Sequence, residues 1–476
     1  MVKQLSVCLI MLSVVLSSCS ADNTENTPQS LDESSHIICY DIQNLKYLIL
    51  IPNYFGTLYH AGTAYEDAID QWSSMDYSQA KANLERVKDS IVHSDTLYYS
   101  DDLAIIYNTL GCLNMEMANY GVAYDYLIDA YISTKELYGS DETVDEEHRF
   151  IYRAPALSLC HYYYVTGEYE MGLRQIQEIR DDIELYNDEI KRIEYLRVFF
   201  LYELNDIEAT IFFDRGEYAN AYNLYKNNTE LVLQLKESED NQDNSFSSML
   251  SIDLCTKLGD WFSCFPLEQE YAEACVKMYD QAIQLADSYS GDYADSIKSN
   301  VLAKKGHFLF NVENQKDNAV QCLQDAIDIQ TVLAKDNKNL TPYYIRTTVV
   351  IAESIGFSLR DYDEAVYQYN AALDDSLSVN GYNHPDTITV YESMGRFYAN
   401  RMNDTERSIE YFNKALEICR NLLIEDSKIA AGINLQLAGC YKIIGNNEQS
   451  NEYLEKAHEI YGKLGIRILQ TDGTWK

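Results

Sequence analysis

Proline and glycine are scarce in this chain, and tryptophan is scarcer still. The 476 residues include 6 prolines, 20 glycines and 3 tryptophans. Because proline and glycine are the residues that most often interrupt a helix, few positions exclude long helices. The composition therefore favours an all-α body.

Positive charge and long apolar runs are also lacking. Lys and Arg total 37 against 75 Asp and Glu, which gives a formal net charge of -38. A field of this sign repels phosphate backbones and anionic headgroups, so we expect no nucleic acid partner and no membrane attachment through charge. After the N-terminal segment, no stretch approaches the roughly 20 apolar residues that a membrane-spanning helix needs.

Motifs of catalytic and metal sites are absent from the sequence. The eight histidines form no H-E-x-x-H pair, and there is no G-x-S-x-G elbow, no glycine-rich phosphate loop and no complete calcium loop around Asp240 and Asp243. The acidic run 141–147 offers no pair with one desolvated and one solvated carboxyl, which acid–base catalysis requires. The sequence predicts no catalytic residue, no metal site and no cofactor, and hence a protein that is not an enzyme.

The N-terminus has the pattern of an export signal. Lys3 precedes an apolar run over 5–16, and Leu-Ser-Ser-Cys follows at 16–19. This tetrapeptide resembles the lipobox of bacterial lipoproteins, which implies a signal peptide over 1–18, lipidation of Cys19 and a flexible polar tether over 19–41. A cleaved signal peptide with an incidental cysteine is the alternative. Ser20, in place of an Asp retention signal, favours the outer over the inner membrane of the cell envelope.

The remaining cysteines suggest core packing more than cross-linking. Apart from Cys8 in the signal and Cys19, nine cysteines are left, with no C-x-x-C among them. Small apolar groups of this kind fill helical cores. One disulfide among Cys255, Cys264 and Cys275 is the alternative.

A triplet of a small, a large apolar and a further apolar side chain recurs nine times. Its members are spaced by four and then three residues, as in Ala123, Leu127 and Ala130, which places all three on one stripe of a helix. Such recurrence predicts stacked helical repeats rather than one globular core. The first members are Ala80, Ala123, Gly172, Ala221, Cys275, Ala319, Ala365, Ser408 and Ser450.

A second signature of helical spacing lies upstream of most triplets. In one repeat it comprises Tyr391, Met394, Gly395 and Tyr398, and a Gly-Glu-Tyr turn stands at 167–169 and again at 216–218. Together these features resemble the tetratricopeptide repeat, in which two antiparallel helices approach closely where facing residues are small. The resemblance implies a right-handed superhelical solenoid of about nine helix pairs over 42–465, followed by a C-terminal tail over 466–476.

The spacing departs from the usual repeat of about 34 residues. Successive first members lie 42 to 54 residues apart. The segment 381–387 is similar to the inter-repeat Gly-x-x-His-Pro-x-Thr of the long kinesin-light-chain variety, with Pro385 expected to stop one helix and polar residues to start the next. The pattern of the first helix is poor around Gly356 and over 255–268, so the register there is open.

The resemblance implies a groove lined by the first helix of each pair, which binds a protein or peptide partner. The acids among the lining residues favour a basic or apolar-anchored partner, and the mixture does not support a general clamp for a terminal carboxylate. About a third of the 41 tyrosines are expected to be available for contact. The candidate lining residues are His161, Tyr164, Glu203, Asp206, Asp214, Arg396 and Asn400.

Three functions remain open from the sequence. The first is a lipid-anchored scaffold of the bacterial envelope that binds another protein. The second is a sensory or regulatory component that acts with a separate membrane or transcriptional regulator. The third is a lipoprotein that binds glycans or nutrients, against which the three tryptophans count.

Overall fold

The chain is all-α in every part that the structure describes, as predicted. The computed structural model describes residues 62–73, 76–92, 100–138, 146–185, 194–238, 245–265, 269–288, 292–312, 314–336 and 342–466. These ranges hold α-helices and two π-helical turns and contain no strand. The signal peptide, Cys19 and the tether lie outside the described residues, as does nearly all of the tail, so those predictions stay predictions.

Eighteen α-helices in the described ranges follow one another along the chain, and we refer to the nine consecutive pairs as hairpins. Odd-numbered helices open each hairpin and even-numbered helices close it. Their bounds are α1 Gly62–Ser73, α2 Tyr77–Val92, α3 Ser100–Glu116, α4 Tyr120–Tyr138, α5 Glu146–Thr166, α6 Tyr169–Leu185, α7 Glu194–Asp214, α8 Tyr218–Ser238, α9 Ser245–Ser263, α10 Gln269–Ala286, α11 Asp292–Leu309, α12 Lys316–Asp336, α13 Pro342–Glu353, α14 Tyr362–Val379, α15 Pro385–Phe397, α16 Thr405–Asn421, α17 Lys428–Ile443 and α18 Asn447–Leu464.

The helices belong to two compact units. Of the described residues, the central unit comprises those from Tyr222 to Gln368, and the terminal unit comprises those from 62 to Ala221 and from Tyr369 to 466. Within the terminal unit, α3 packs on α4, α5 on α6, α15 on α16 and α17 on α18, and α5 also contacts α3 and α7. Within the central unit, α9 packs on α10 and α11 on α12, and α11 contacts α13.

The small residues of the triplets lie at the helix crossings. Each of the nine first members stands on an even-numbered helix, and each is buried. Glycine takes the facing position on several odd-numbered helices: a Cβ at Gly111 would lie 2.5 Å from Leu127, and one at Gly395 would lie 2.6 Å from Phe412. Close approach of the two helices therefore requires a residue without a side chain there.

The same rule settles the register over 255–268. A Cβ at Gly259 would lie 2.5 Å from the ring of Tyr279. Gly259 therefore has the place in α9 that Gly111 has in α3. The uncertainty near Gly356 has a different cause, since this glycine lies in a π-helical turn over Ser354–Leu359.

Two π-helical turns extend α13 and α15. The N–H of Arg360 reaches the carbonyl of Ile355, and the N–H of Asn403 reaches that of Tyr398, each five residues back. Both turns end on a left-handed residue, with φ of 61° at Arg360 and 53° at Asn403. The wider turn over Ser354–Leu359 interrupts the regular helical spacing around Gly356, whereas the sequence pattern that ends at Tyr398, the first residue of the second turn, stays regular.

The last three helices, α16, α17 and α18, begin with side-chain caps. Asp404, Ser427 and Asn446 each accept the backbone N–H three residues further on. The prediction that Pro385 stops a helix is wrong. It is the first residue of α15, where the missing N–H of proline costs nothing, and the preceding helix has already ended at Val379.

The eight described cysteines are buried thiols and form no disulfide. Burial raises the pKa of Cys112 and of Cys419 to about 12. The alternative of a disulfide among Cys255, Cys264 and Cys275 is therefore not realised in the structure. Among the described helices, none combines the length and the apolar character needed to cross a membrane.

Candidate partner-binding surface

Most of the predicted lining residues lie on α5 and α7, which are neighbours in the terminal unit. Both helices are buried along nearly their whole described length. An odd-numbered helix that is covered on all sides is typical of the interior of a helical stack. The polar side chains of α5 and α7 therefore lie in a largely dry environment.

His161 and Glu203 face each other across these two helices. Nε2 of His161 lies 3.8 Å from Oε2 of Glu203, and both side chains are 1% exposed. Asp206, one turn further along α7, is fully buried. The structure thus brings His161 and Glu203 together, but it places all three away from solvent.

Asp214, the last residue of α7, is the centre of a polar network. Its carboxylate accepts hydrogen bonds from the hydroxyls of Tyr169 at 2.6 Å and Tyr164 at 3.3 Å, and from Nζ of Lys428 at 2.7 Å. The Asp214 side chain is 2% exposed, whereas that of Lys428 is 38% exposed. Burial, followed by the charge of Asp214, raises the pKa of Tyr169 well above its ordinary value, so this hydroxyl stays a donor.

Lys428 is a partner of Asp214 that the sequence did not reveal. It lies 214 residues further along the chain, directly after the Ser427 cap of α17. The spacing of residues within one repeat cannot predict a contact between residues so far apart in the sequence.

Arg396 and Asn400 lie in another part of the terminal unit, on α15 and its π-helical turn. Arg396 is buried, and its Nε forms an ion pair of 3.0 Å with Oε1 of Glu392 on the same helix. Its Nη2 also donates to the hydroxyl of Ser393 at 3.4 Å. Asn400 is exposed.

Among the seven predicted lining residues, Asn400 is exposed, Tyr164 is half-buried, and the other five are buried. Their contact with a partner stays a prediction. Among the described residues, an accessible aromatic surface lies where odd and even helices meet in the last two hairpins. The sequence analysis predicted that about a third of the tyrosines are available for contact. It did not identify which tyrosines form this surface.

In the eighth hairpin, Tyr411 of α16 lies between two tyrosines of the odd-numbered helix. Its ring centroid is 5.4 Å from that of Tyr398 and 6.0 Å from that of Tyr391, with nearly parallel planes. Nζ of Lys414 lies 5.4 Å from the centroid of Tyr411, and the guanidinium of Arg407 lies 5.4 Å from that of Tyr398. The two cations thus cover aromatic faces.

The ninth hairpin repeats this arrangement. The rings of Tyr441 and Tyr453 stack at 5.4 Å with an interplanar angle of 3°, and Nζ of Lys456 lies 5.3 Å from the centroid of Tyr453. Lys456 pairs with Glu452 at 2.7 Å, as Lys414 pairs with Glu410 at 2.7 Å in the hairpin before. We refer to Tyr398, Tyr411, Tyr441 and Tyr453 with these two lysines as the tyrosine ladder.

The tyrosine ladder is accessible except at Tyr398, which is buried. Tyr411, Tyr441 and Tyr453 are half-buried, while the side chains of Lys414 and Lys456 are 37% and 51% exposed. Burial raises the pKa of Tyr411 and of Tyr453, so both hydroxyls remain protonated at neutral pH. Flat rings, hydroxyl tips and lysines together offer apolar contact, hydrogen bonding and positive charge.

Comparison with known proteins agrees with this architecture. Residues 343–421 match the family model of the tetratricopeptide repeat. This stretch is similar to that family, and the described helices form a helical repeat of the tetratricopeptide type. The matched residues include the two hairpins with π-helical turns, and the repeat fold is consistent with a protein–protein interaction scaffold.

Several solved structures are similar to this chain at low identity. The Rap protein complexed with Competence and Sporulation Factor is 12% identical, with a TM-score of 0.46, over 85% of this chain and 98% of that one. The quorum sensor NprR from B. thuringiensis in its apo form is 13% identical, with a TM-score of 0.45, over 84% and 97%.

BtubC (BKLC) from P. vanneervenii is 18% identical, with a TM-score of 0.35, over 55% of this chain and 91% of that one. No curated protein matches the chain. These likenesses carry no argument about the partner or the activity of this chain.

Proposed function

We propose that this chain is a noncatalytic scaffold that binds a protein partner through its helical repeats and is held at the bacterial envelope by a lipid on Cys19. The tyrosine ladder is the observation that supports partner binding. Equivalent side chains recur one hairpin apart, since Glu410, Tyr411 and Lys414 correspond to Glu452, Tyr453 and Lys456.

A surface that repeats along the chain suits an extended partner. The eighth and ninth hairpins each present a pair of stacked rings beside a lysine. Successive parts of one partner segment would therefore meet chemically similar sites. Tyrosine contributes a large contact area at a small entropy cost. The net charge of -38 also supports a protein partner over nucleic acid, because the charge opposes phosphate backbones.

The partner is best sought by crosslinking in cells, followed by identification of the captured chains. The double substitution Tyr411→Ala and Tyr453→Ala removes the outer ring of each stack. We expect it to reduce capture of the specific partner by about tenfold or more, as loss of aromatic anchors does at interfaces.

Tyr367→Ala is the matched control, because Tyr367 is 66% exposed on α14 in the central unit. It should leave capture unchanged. If both variants and the wild type captured the partner equally, the tyrosine ladder would not be the binding surface. Recovery of a membrane regulator in place of an envelope complex would support the sensory function.

The lipid anchor is tested separately from the partner. Labelled fatty acid should enter the wild-type chain and not Cys19→Ala, and membrane fractionation should place the wild type in the outer membrane. Label in both chains would contradict the anchor. The support for this part of the proposal is the lipobox-like sequence at 16–19 and the polar composition that follows it.

A further inference from the structure

Two distant stretches of the terminal unit meet along a regular seam. The turns between odd and even helices in the second, third and fourth hairpins contact, in order, connections of the seventh to ninth hairpins. Because both stretches are built of repeats, successive turns on one side contact successive connections on the other. We call each such group of contacts a step. The contacts form three steps.

His384 makes the first step. Its Nδ1 accepts the N–H of Asp386 at 3.1 Å, so its proton lies on Nε2, which donates to the carbonyl of Glu116 at 3.2 Å. Glu116 ends α3, and the carbonyls of a last helical turn need donors from outside the helix. The next contact is between Leu423 and Gly121, where a Cβ would lie 3.7 Å from Cδ1 of Leu423.

Gly167 makes the second step. Its φ is 85°, and any Cβ at this position would collide with the carbonyl oxygen of Asp426. The turn and the connection before α17 are therefore in direct backbone contact. Such an approach is open only to glycine.

The third step is ionic. Lys428 binds the carboxylate of Asp214 at 2.7 Å, and Nε of the adjacent Arg215 donates to the carbonyl of Leu464 at 2.8 Å. Nη2 of Arg215 also pairs with Glu170 at 2.7 Å. The side chains of Lys428 and Glu170 are 38% and 65% exposed, so salt screens these pairs.

The seam differs in kind from the packing inside a hairpin. Hairpins join through fully buried residues such as Leu127, Phe412 and Ala415. The seam contacts described above are made instead by backbone carbonyls, one ion pair to a buried carboxylate and two leucines, Leu423 and Leu464. Regions with few buried apolar contacts open at lower free energy than the core. Salt weakens the ionic step and leaves the apolar cores unaffected.

We propose that the seam is a salt-sensitive latch of the terminal unit. The turns at 116–121, 167–170 and 214–215 separate from 384, 423–428 and 464–465 while the hairpins on both sides stay folded. Separation removes Lys428 from Asp214 and leaves this carboxylate, with the hydroxyls of Tyr164 and Tyr169, open to solvent. The latch stands apart from the tyrosine ladder and does not depend on the proposed partner.

Two glycines of the same turn type provide a matched test. Gly167→Ala adds a methyl group that collides with Asp426, whereas Gly216, with a φ of 75°, has nothing within 4 Å of its Cβ position. Both substitutions strain a left-handed residue, but only the first blocks the seam. In the full chain, Gly167→Ala should speed amide exchange in peptides covering 164–170 and 423–428 by roughly tenfold relative to Gly216→Ala.

A charge reversal gives a second test on an exposed side chain. Lys428→Glu should speed exchange in the same two peptides, and raising the NaCl concentration should do so in the wild type. Lys456→Glu is the control, because Lys456 pairs with Glu452 on its own helix. Unchanged helicity by circular dichroism, with protected hairpin interiors, shows that the seam opens without unfolding.

Equal exchange in Gly167→Ala and Gly216→Ala would overturn the latch. So would equal exchange in Lys428→Glu and Lys456→Glu. Faster exchange spread over α3 to α7 would also overturn it, because the seam would then be part of the cooperative core.

Discussion

Asp214 in the terminal unit, which is buried, and Asp260 in the central unit, which is half-buried, are two carboxylates with similar partners from different parts of the chain. Asp260 accepts hydrogen bonds from the hydroxyl of Tyr279 at 2.7 Å and from Nζ of Lys304 at 2.7 Å. Asp214 likewise accepts from a tyrosine and a lysine. In both networks, burial and the nearby carboxylate raise the pKa of the tyrosine well above its ordinary value.

The origin of the lysine separates the two networks. Lys304 stands on α11, in the hairpin directly after the one that holds Asp260, whereas Lys428 comes from 214 residues away. The Asp260 network is therefore part of neighbour-to-neighbour stacking, on which repeat proteins depend. The Asp214 network instead requires two distant parts of the terminal unit to stay together, which is why the same chemistry can serve as permanent packing in one place and as a latch in the other.

The largest effect is expected from breaking the central network through its helix crossing. Gly259→Ala places a methyl group 2.5 Å from the ring of Tyr279 and pushes this ring from Asp260. Overpacking of this kind costs about 1–3 kcal/mol. Chemical denaturation followed by circular dichroism measures the loss.

Gly439→Ala is the matched control for that loss. Nothing lies within 4 Å of its Cβ position on α17, and alanine is the better helix former by about 0.5–1 kcal/mol. Equal stability of Gly259→Ala and Gly439→Ala would show that the crossing tolerates a side chain.

The next effect compares the two lysines directly. Lys304→Met leaves Asp260, with its side chain 13% exposed, without its cation, at a cost on the order of 1–2 kcal/mol to the central unit. Lys428→Met should cost less stability, because the seam can open and water can then solvate Asp214. Hydrogen exchange should show loss of protection in α9 and α10 for Lys304→Met.

For Lys428→Met, the loss should be confined to 164–170 and 423–428. The two variants thus serve as controls for each other. If Lys428→Met also lowered protection throughout α5 to α7, both carboxylates would belong to cooperative cores and the contrast between them would disappear.

The smallest effect concerns Glu178, a third carboxylate with tyrosine and lysine partners. It accepts from Tyr131 at 2.8 Å, Tyr152 at 2.8 Å and Lys135 at 2.6 Å. Burial alone would raise the pKa of Glu178, but hydrogen bonds from Lys135 and the two tyrosines outweigh it and lower that pKa. A lowered pKa stabilises the fold above the unfolded pKa of Glu178, and this stabilisation is lost as pH falls through the folded pKa.

Glu178→Gln removes the titrating group. The difference in thermal unfolding midpoint between wild type and Glu178→Gln should be present at neutral pH and shrink as the solution is acidified. Glu452→Gln, at an exposed pair with Lys456, is the reference. A difference that stayed constant with pH would assign the effect of Glu178 to shape and not to charge.

The sequence predicted the helical repeats because their signal is local. The spacing of Ala123, Leu127 and Ala130 depends on one helix, and every first member of a triplet indeed stands on an even-numbered helix at a crossing. Leu258 and Gly259 repeat the Leu-Gly pair at 110–111, so a signal for the register of α9 was present and was missed.

The candidate site was less predictable, because burial and long-range contacts depend on the assembled unit. An odd-helix position that is exposed in one repeat, as Asn400 is, is covered in another, as His161 and Glu203 are. The contact of Asp214 with Lys428 can be predicted only if the fold of all the residues between them is known. The tyrosine ladder could not be predicted for another reason. Buried and accessible tyrosines occur at nearly the same spacing in the repeats, so the sequence does not distinguish them.

The two π-helical turns also keep two adjacent hairpins in the same register. Such a turn holds one residue more than a regular helical turn. Their left-handed ends, Arg360 and Asn403, are 43 residues apart (403 minus 360) and stand at matching places in adjacent hairpins. Because each hairpin holds its extra residue at the same place, the residues that follow the two turns keep the same spacing in both hairpins.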